Sequence, residues 1–346
     1  MTALLLTPGF AAHEADHNCI PPLQALVRSL QQRGAEVCIV ALEYPFTDRT
    51  YHWHGAAVYP CNGQNRLWLK PRTLWRAMTQ AHELLDRHDI VAIHSFWLGM
   101  AAGVGERVSR RRGVPHFTTL MGQDVLPSNR RHLGSLTDER FGRLVALSAF
   151  HNDVLEKTTR RRAAQIIHWG LSEVPPPMIP PLARPLDVLG VGSLVRVKNW
   201  SKWLQTLGLV AQSRPDLRAA LIGDGPERQK LERLCRSLGL SGQMHFAGNL
   251  PRPEVLRRMT EARVLLHTAD FESFGFVFPE AVRAGCRLVS TPVGIAPEMG
   301  AACGFSEGEL AAGVLAALQA SEPTVPAHLP DIEATMAAYW DLWTKP

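Results

Sequence analysis

Val188-Leu189-Gly190-Val191-Gly192-Ser193-Leu194-Val195-Arg196-Val197-Lys198-Asn199 is an apolar run that ends in a glycine turn and then presents two cations. The apolar part reads as a buried strand, and glycine after it lets the backbone turn sharply and approach a ligand closely. Arg196 and Lys198 on such a turn can neutralise a phosphate. Taken alone, the turn reads equally well as a solvated loop. The same pattern continues in both directions. Short β-branched runs alternate with longer amphipathic stretches, which is the sequence form of βα units built around parallel sheets.

Upstream, strands are expected at 3–7, 36–42, 90–95, 116–121, 144–147 and 165–168, with a helix over 21–32 stopped by Arg33-Gly34. Downstream they are expected at 186–191, 219–222, 244–246, 264–267 and 287–290. Between the two series lie Pro175, Pro176, Pro177, Pro180 and Pro181, which block ladder and helix hydrogen bonding and read as a stiff extended linker. The expected division is a first domain over 1–172, a linker over 173–185 and a second domain over 186–325. A last helix over 330–346 carries Met336, Tyr339, Trp340 and Trp343, so one aromatic side must pack on something. The fold class is α/β, with two Rossmann-like parallel-sheet domains facing a central cleft, because open sheets bind ligands at the carboxyl ends of their strands.

Phe271-Glu272-Ser273-Phe274-Gly275-Phe276-Val277-Phe278-Pro279-Glu280-Ala281 carries the most chemistry. Ionised carboxylates only accept hydrogen bonds, and polyol hydroxyls donate them. The N–H groups of Gly275 and Phe276 would open a helix capped by Gly285, where unpaired donors favour an anion. Pro279 fits the first turn, since the donor it lacks has no intrahelical partner there. The implied ligand is a sugar joined to a phosphate.

Composition narrows the class. Apolar content of 46% and charged content of 20% describe an ordinary globular chain, and no apolar run approaches the ~18 residues of a membrane span. The N-terminal run lacks a positive flank and a cleavage site, so it reads as a strand and a cytoplasmic protein is expected. Cys19, Cys38, Cys61, Cys235, Cys286 and Cys303 show no metal-type spacing, and there is no Asp-x-Asp pair to hold a divalent ion on a diphosphate. No metal and no cofactor are expected. The net charge of +5 is concentrated in the first half, at Arg107 and Arg110–Arg112, at Arg130-Arg131, and at Arg160–Arg162. These clusters read either as solvated helix ends or as contacts to an anionic membrane surface, peripheral at an inner face. Without interleaved aromatics, nucleic acid is not an expected partner.

Gly192 to Lys198, then Gly223-Asp224-Gly225-Pro226, Glu272 to Glu280, and Pro292-Val293-Gly294 with Pro297-Glu298 resemble the C-terminal domain of retaining GT-B glycosyltransferases of family four (group 1). In the first half, Asp89 to His94 and Thr119 to Asp124 look like that family's cleft-facing loops. The resemblance implies transfer of a sugar from a nucleotide diphosphate, UDP- or GDP-linked, to a glycan, lipid-linked or small acceptor, with retention and without a metal. It implies that Glu280 meets ribose hydroxyls, that Glu272 holds the donor sugar, and that Lys198 meets the diphosphate. Gly192, Ser193 and the backbone of Ser273, Phe274, Gly275 and Phe276 would complete the donor side. In this fold the last helix crosses back to the first domain. Gly9, Asp16, His94, Met121 and Asp124 are the acceptor-side candidates. Three departures stand out: Ser193 occupies the place of a usual arginine, Met121 that of a usual histidine, and Pro8-Gly9-Phe10 that of paired glycines. Arg196 would supply the missing charge from the same loop. An epimerase of the same architecture and a non-catalytic nucleotide-sugar binder are the alternative readings.

Overall fold

A computed structural model describes residues 2–16, 19–171, 183–320 and 329–345. The chain divides into two compact units, Met1–Ser172 with Pro330–Pro346, and Glu173–Leu329. Most of the expected proline linker lies outside the described residues.

Unit one runs β1 (Thr2–Gly9), α1 (Pro21–Gln32), β2 (Glu36–Tyr44), β3 (Tyr51–Trp53), β4 (Ala56–Pro60), α2 (Lys70–Arg87) and β5 (Ile90–Phe96). It continues with α3 (Met100–Arg112), β6 (His116–Thr119), α4 (Arg130–Leu133), α5 (Asp138–Phe141), β7 (Leu144–Ala146), α6 (Ala149–Thr159) and β8 (Gln165–Ile166). The sheet order is β3-β4-β2-β1-β5-β6-β7-β8, parallel throughout except for the β3–β4 hairpin. β1 is central and buried on both faces, which explains its unbroken apolar run. The hairpin was not expected. Its turn is His54-Gly55, both at positive φ (45° and 91°), the geometry of a two-residue hairpin turn without the usual Asn-Gly signal. β6 stops at Thr119 and β8 is two residues long, both shorter than the apolar pattern suggests.

Unit two runs β9 (Leu186–Val191), α7 (Trp200–Ser213), β10 (Ala219–Ile222), α8 (Arg228–Ser237), β11 (Met244–Gly248) and α9 (Arg252–Thr260). Then follow β12 (Ala262–His267), α10 (Val277–Arg283), β13 (Arg287–Ser290), β14 (Ala302–Cys303) and α11 (Glu307–Gln319). Its sheet, β11-β10-β9-β12-β13-β14, is entirely parallel. Trp200, Trp203, Leu204, Leu207 and Val210 fall at helical spacing on α7 and fill the core against Val188, Leu221 and Leu266 of the sheet and Val314 of α11. Truncating Leu204 to alanine there would cost about 2–5 kcal/mol.

The last helix, α12 (Ile332–Thr344), belongs to unit one. Its buried face is Thr335, Met336, Tyr339, Leu342 and Trp343. Gly170 makes the docking possible: a Cβ there would lie 1.9 Å from the backbone of Asp331 and Ile332. Its N–H donates to Thr335 Oγ1 at 2.8 Å, and that hydroxyl donates to the His168 carbonyl at 2.8 Å.

Candidate functional site

The loops after β9 and β12 form the site, and side chains stitch them together. After Gly192 the chain makes a 3-10 turn over Arg196–Lys198 and then places Asn199 in the left-handed region (φ 50°, ψ 49°), where asparagine is tolerated. Asn199 accepts from the Lys202 N–H at 3.4 Å to start α7 and donates to Asp270 Oδ1 at 2.9 Å. The Asp270 N–H donates to the Val197 carbonyl at 2.8 Å, and Thr268 Oγ1 to the Asn199 carbonyl at 3.0 Å. On the other side, the Ile295 N–H donates to the Phe274 carbonyl at 2.9 Å. The two loops thus share one hydrogen-bonded frame.

Within that frame Lys198 Nζ donates to Glu272 Oε1. His267 Nε2, at the end of β12, stands 3.2 Å from the same oxygen. Burial alone would raise the Glu272 carboxyl, but the His267 contact and the Lys198 charge reverse this and hold it at about 2. The His267 ring is fully buried, edge-on to Phe278 at 5.0 Å. Burial lowers its pKa, so it is neutral at physiological pH. The Glu272 contact is misaligned for a hydrogen bond, and neither ring nitrogen has a hydrogen-bond partner among the described residues. A buried imidazole in that condition is uncommon. Sequence reading took His267 only as the end of a strand; its position five residues before Glu272 was the available signal.

Glu280 is buried on α10 and accepts from Arg252 Nη2 at 2.8 Å, an ion pair that sequence reading missed. Arg252 opens α9, 28 residues away, and only the fold brings the two together. α10 has seven residues, with Pro279 in its first turn and Gly285 at φ +79° just beyond it. Gly275 is required at φ +86°, where a Cβ would meet the Phe278 ring at 2.4 Å. The N–H groups of Gly275 and Phe276 make no hydrogen bond among the described residues. Phe274 is a core side chain, so only its backbone faces the loop, whereas Ser273 is half-buried.

Ser193 is exposed, and its carbonyl accepts from Trp200 Nε1 at 2.9 Å. Arg196 is exposed on the Lys198 turn and makes no ion pair among the described residues. The acceptor-side candidates mostly do structural work. His94 is wholly buried, which corrects its expected ligand-facing position. Its Nδ1 accepts from Trp343 Nε1 at 3.0 Å, so Nε2–H donates to Thr119 Oγ1 at 2.8 Å. Thr119 in turn bonds the Tyr339 hydroxyl at 2.8 Å, which accepts from Trp169 Nε1 at 2.8 Å. Asp124 is also turned inward, its carboxylate clamping the N–H groups of Leu98 (2.9 Å), Met121 (3.2 Å) and Gly122 (3.0 Å). Asp16 folds its own loop by accepting from the Ala12 N–H at 3.0 Å and the Tyr44 hydroxyl at 2.9 Å. Gly9 ends β1 against Cys19 and Tyr44. Among the described residues no group of three His, Cys, Asp or Glu side chains is placed to hold a metal ion.

Two α/β units built on mainly parallel sheets, one with a glycine turn and paired glutamates at its strand ends, place the chain in the class of two-domain Rossmann-like folds. The family described as Glycosyl transferases group 1 matches residues 181–305, and the Glycosyl transferase 4-like domain matches residues 22–181. The chain belongs to the group 1 glycosyltransferases of GT-B fold. It is 24% identical to the uncharacterized glycosyltransferase YqgM of Bacillus subtilis over 60% of each chain. It is 32% identical to the 2-deoxystreptamine glucosyltransferase of Streptomyces kanamyceticus over 30% of this chain and 27% of that one. The matches thus span less than two thirds of these relatives. Among solved structures, Anabaena HepE, crystallised with UDP and glucose, superposes with a TM-score of 0.72 at 17% identity, covering 100% of both chains.

Proposed function

We propose that the chain transfers a hexosyl group from a UDP- or GDP-linked sugar to a glycan or lipid-linked acceptor, retaining the anomeric configuration and using no metal ion. The observation that carries this reading is the contact of Lys198 with Glu272, eight residues before Glu280 and beside the amides of Gly275 and Phe276. The UDP and glucose bound by HepE support the donor class.

In the proposed reaction the bond from the anomeric carbon to the β-phosphate oxygen breaks, and its electron pair leaves on that oxygen. The acceptor oxygen bonds to the same face of the carbon, and its proton passes to the departing phosphate. Charge grows on the diphosphate in this step, so Lys198, Arg196 and the loop amides stabilise the transition state more than the ground state. Glu280 accepts from ribose hydroxyls and Glu272 from the sugar.

With no donor bound, Lys198 and Glu272 neutralise each other. Once Lys198 turns to the phosphate, Glu272 would be a buried carboxylate without its cation, an arrangement that is strongly disfavoured. His267 resolves this as a positioning residue: a small ring rotation aligns Nε2–H with Glu272 Oε1 and holds the carboxylate on the sugar.

The test is incubation with UDP- and GDP-linked hexoses and a panel of acceptors, with the linkage read by NMR. An α-linked product from an α-linked donor is expected. A β linkage would refute retention, and donor binding without turnover across the panel would leave a binding protein only.

A further inference from the structure

Eight large apolar side chains are exposed among the described residues, and four of them, Phe46, Leu67, Trp68 and Trp75, lie in one part of unit one. They are 62%, 82%, 70% and 67% exposed, respectively, so each has most of its surface in water. Trp68 sits in a 3-10 turn (Leu67–Leu69) that runs directly into α2. Trp75 lies seven residues on, in the second turn of α2, so both exposed indoles sit at the N-terminal end of this helix. Asp48, two residues after Phe46, bonds to Arg76 at 3.1 Å and lies 3.5 Å from Arg72, which holds the Phe46 loop against the first turns of α2. The loop follows β2 and the 3-10 turn follows β4, so the patch lies on the carboxyl rim of this sheet.

Basic side chains surround it. Arg49, Arg66, Lys70, Arg72 and Arg76 outnumber the only carboxylates of segment 43–76, Glu43 and Asp48, leaving a surplus of three positive charges. Arg66 lies over the Trp68 ring at 5.9 Å. Indoles favour the interface between hydrocarbon and water, and Lys and Arg there gain from anionic headgroups. Of these basic side chains, Lys70 lies 3.7 Å from Glu43 and Arg72 and Arg76 are engaged by Asp48, whereas Arg49 and Arg66 make no ion pair among the described residues. In the three arginine clusters Arg110, Arg112, Arg161 and Arg162 are engaged by carboxylates.

We infer that Phe46, Leu67, Trp68 and Trp75, ringed by Arg49, Arg66 and Lys70, form a docking face for an anionic lipid surface. The face is independent of the donor site, and it would bring membrane to the carboxyl rim of unit one. No helix among the described residues is long and apolar enough to cross a membrane, so the contact is peripheral. An extended glycan stacking on the indoles is the competing occupant, but a neutral glycan would not account for the ring of cations.

The experiment is co-sedimentation of the full chain with phosphatidylcholine vesicles with and without phosphatidylglycerol. Wild type should bind the anionic vesicles about tenfold or more better than the neutral ones, and this preference should fall at high salt. Trp68→Ala with Trp75→Ala should abolish binding, and Arg49→Glu with Arg66→Glu should remove the preference for anionic lipid. Phe305→Ala, at an exposed phenylalanine of unit two, should bind as wild type does. Unchanged thermal midpoints would exclude misfolding, since every substituted side chain is exposed. No binding by wild type, or binding unaffected by the tryptophan pair, overturns the inference. So does a tryptophan pair that binds vesicles normally but loses turnover on soluble glycans, which would make the face an acceptor platform.

Discussion

Two histidines on central strands, His94 on β5 and His267 on β12, are equally buried and satisfied to opposite degrees. Both lie near the carboxyl ends of their strands, and burial keeps both neutral. His94 uses both ring nitrogens, and through Thr119 it joins Trp169, Tyr339 and Trp343 in one network that pins α12. His267 uses neither in a hydrogen bond and faces a carboxylate that is already taken by Lys198. A buried polar group with all its partners is part of the fold. One left waiting beside a charged pair is consistent with a site whose partners rearrange when ligand arrives.

The largest effect expected along this divide is at Lys198. Lys198→Ala removes the cation placed for the leaving phosphate, and turnover should fall about 10³-fold while the circular dichroism stays native. Arg196→Ala should fall comparably if Arg196 supplies the charge absent at Ser193, and an unaffected rate would remove it from the mechanism.

The histidines themselves give the next contrast. His94→Leu strands the Trp343 indole N–H and should cost about 2–4 kcal/mol in urea unfolding, with normal turnover per folded molecule. His267→Leu removes one of the two contacts that hold the Glu272 carboxyl down, so it should cost about 1–2 kcal/mol, less than His94→Leu, while kcat drops about 10- to 100-fold. Equal destabilisation with unchanged kcat for both would erase the distinction.

The pH dependence of stability provides a third contrast. The Glu272 carboxyl lies at about 2 when folded, below its ordinary 4.5. Its contribution is therefore complete above 4.5 and lost as pH falls from 4.5 towards 2, about 3 kcal/mol in all. In Glu272→Gln the loss of stability between pH 7 and pH 3 should be smaller by about 2 kcal/mol, the part of that contribution already gone at pH 3. The smallest effect is expected at Tyr339→Phe, which takes the acceptor from the Trp169 indole and should cost about 1–3 kcal/mol with no change in kcat.

The comparison also explains what the sequence could reveal. β1 and β9 were legible because doubly buried parallel strands need unbroken apolar runs. The 21–32 helix was legible because proline opens it and Gly34 follows its end. The β3–β4 hairpin was not, since three residues and a His-Gly turn carry little pattern. Lys198, Glu272 and Glu280 were legible as charges at strand and helix ends, but their partners were not. Arg252 reaches Glu280 from a separate helix, and His267 looks like any strand residue until its nitrogens are counted. His94 was placed at a ligand-facing loop because strand ends usually face ligands. A helix from the far end of the chain covers it instead, a contact separated by 249 residues.

The most direct test of the central claim is a crystal structure of the chain with an intact nucleotide-sugar donor bound. The account predicts Lys198 Nζ within about 3.2 Å of a β-phosphate oxygen, ribose hydroxyls on Glu280, and Glu272 on the sugar with His267 Nε2 now aligned to it. A donor bound elsewhere, or one bound while Lys198 stays on Glu272, would contradict it.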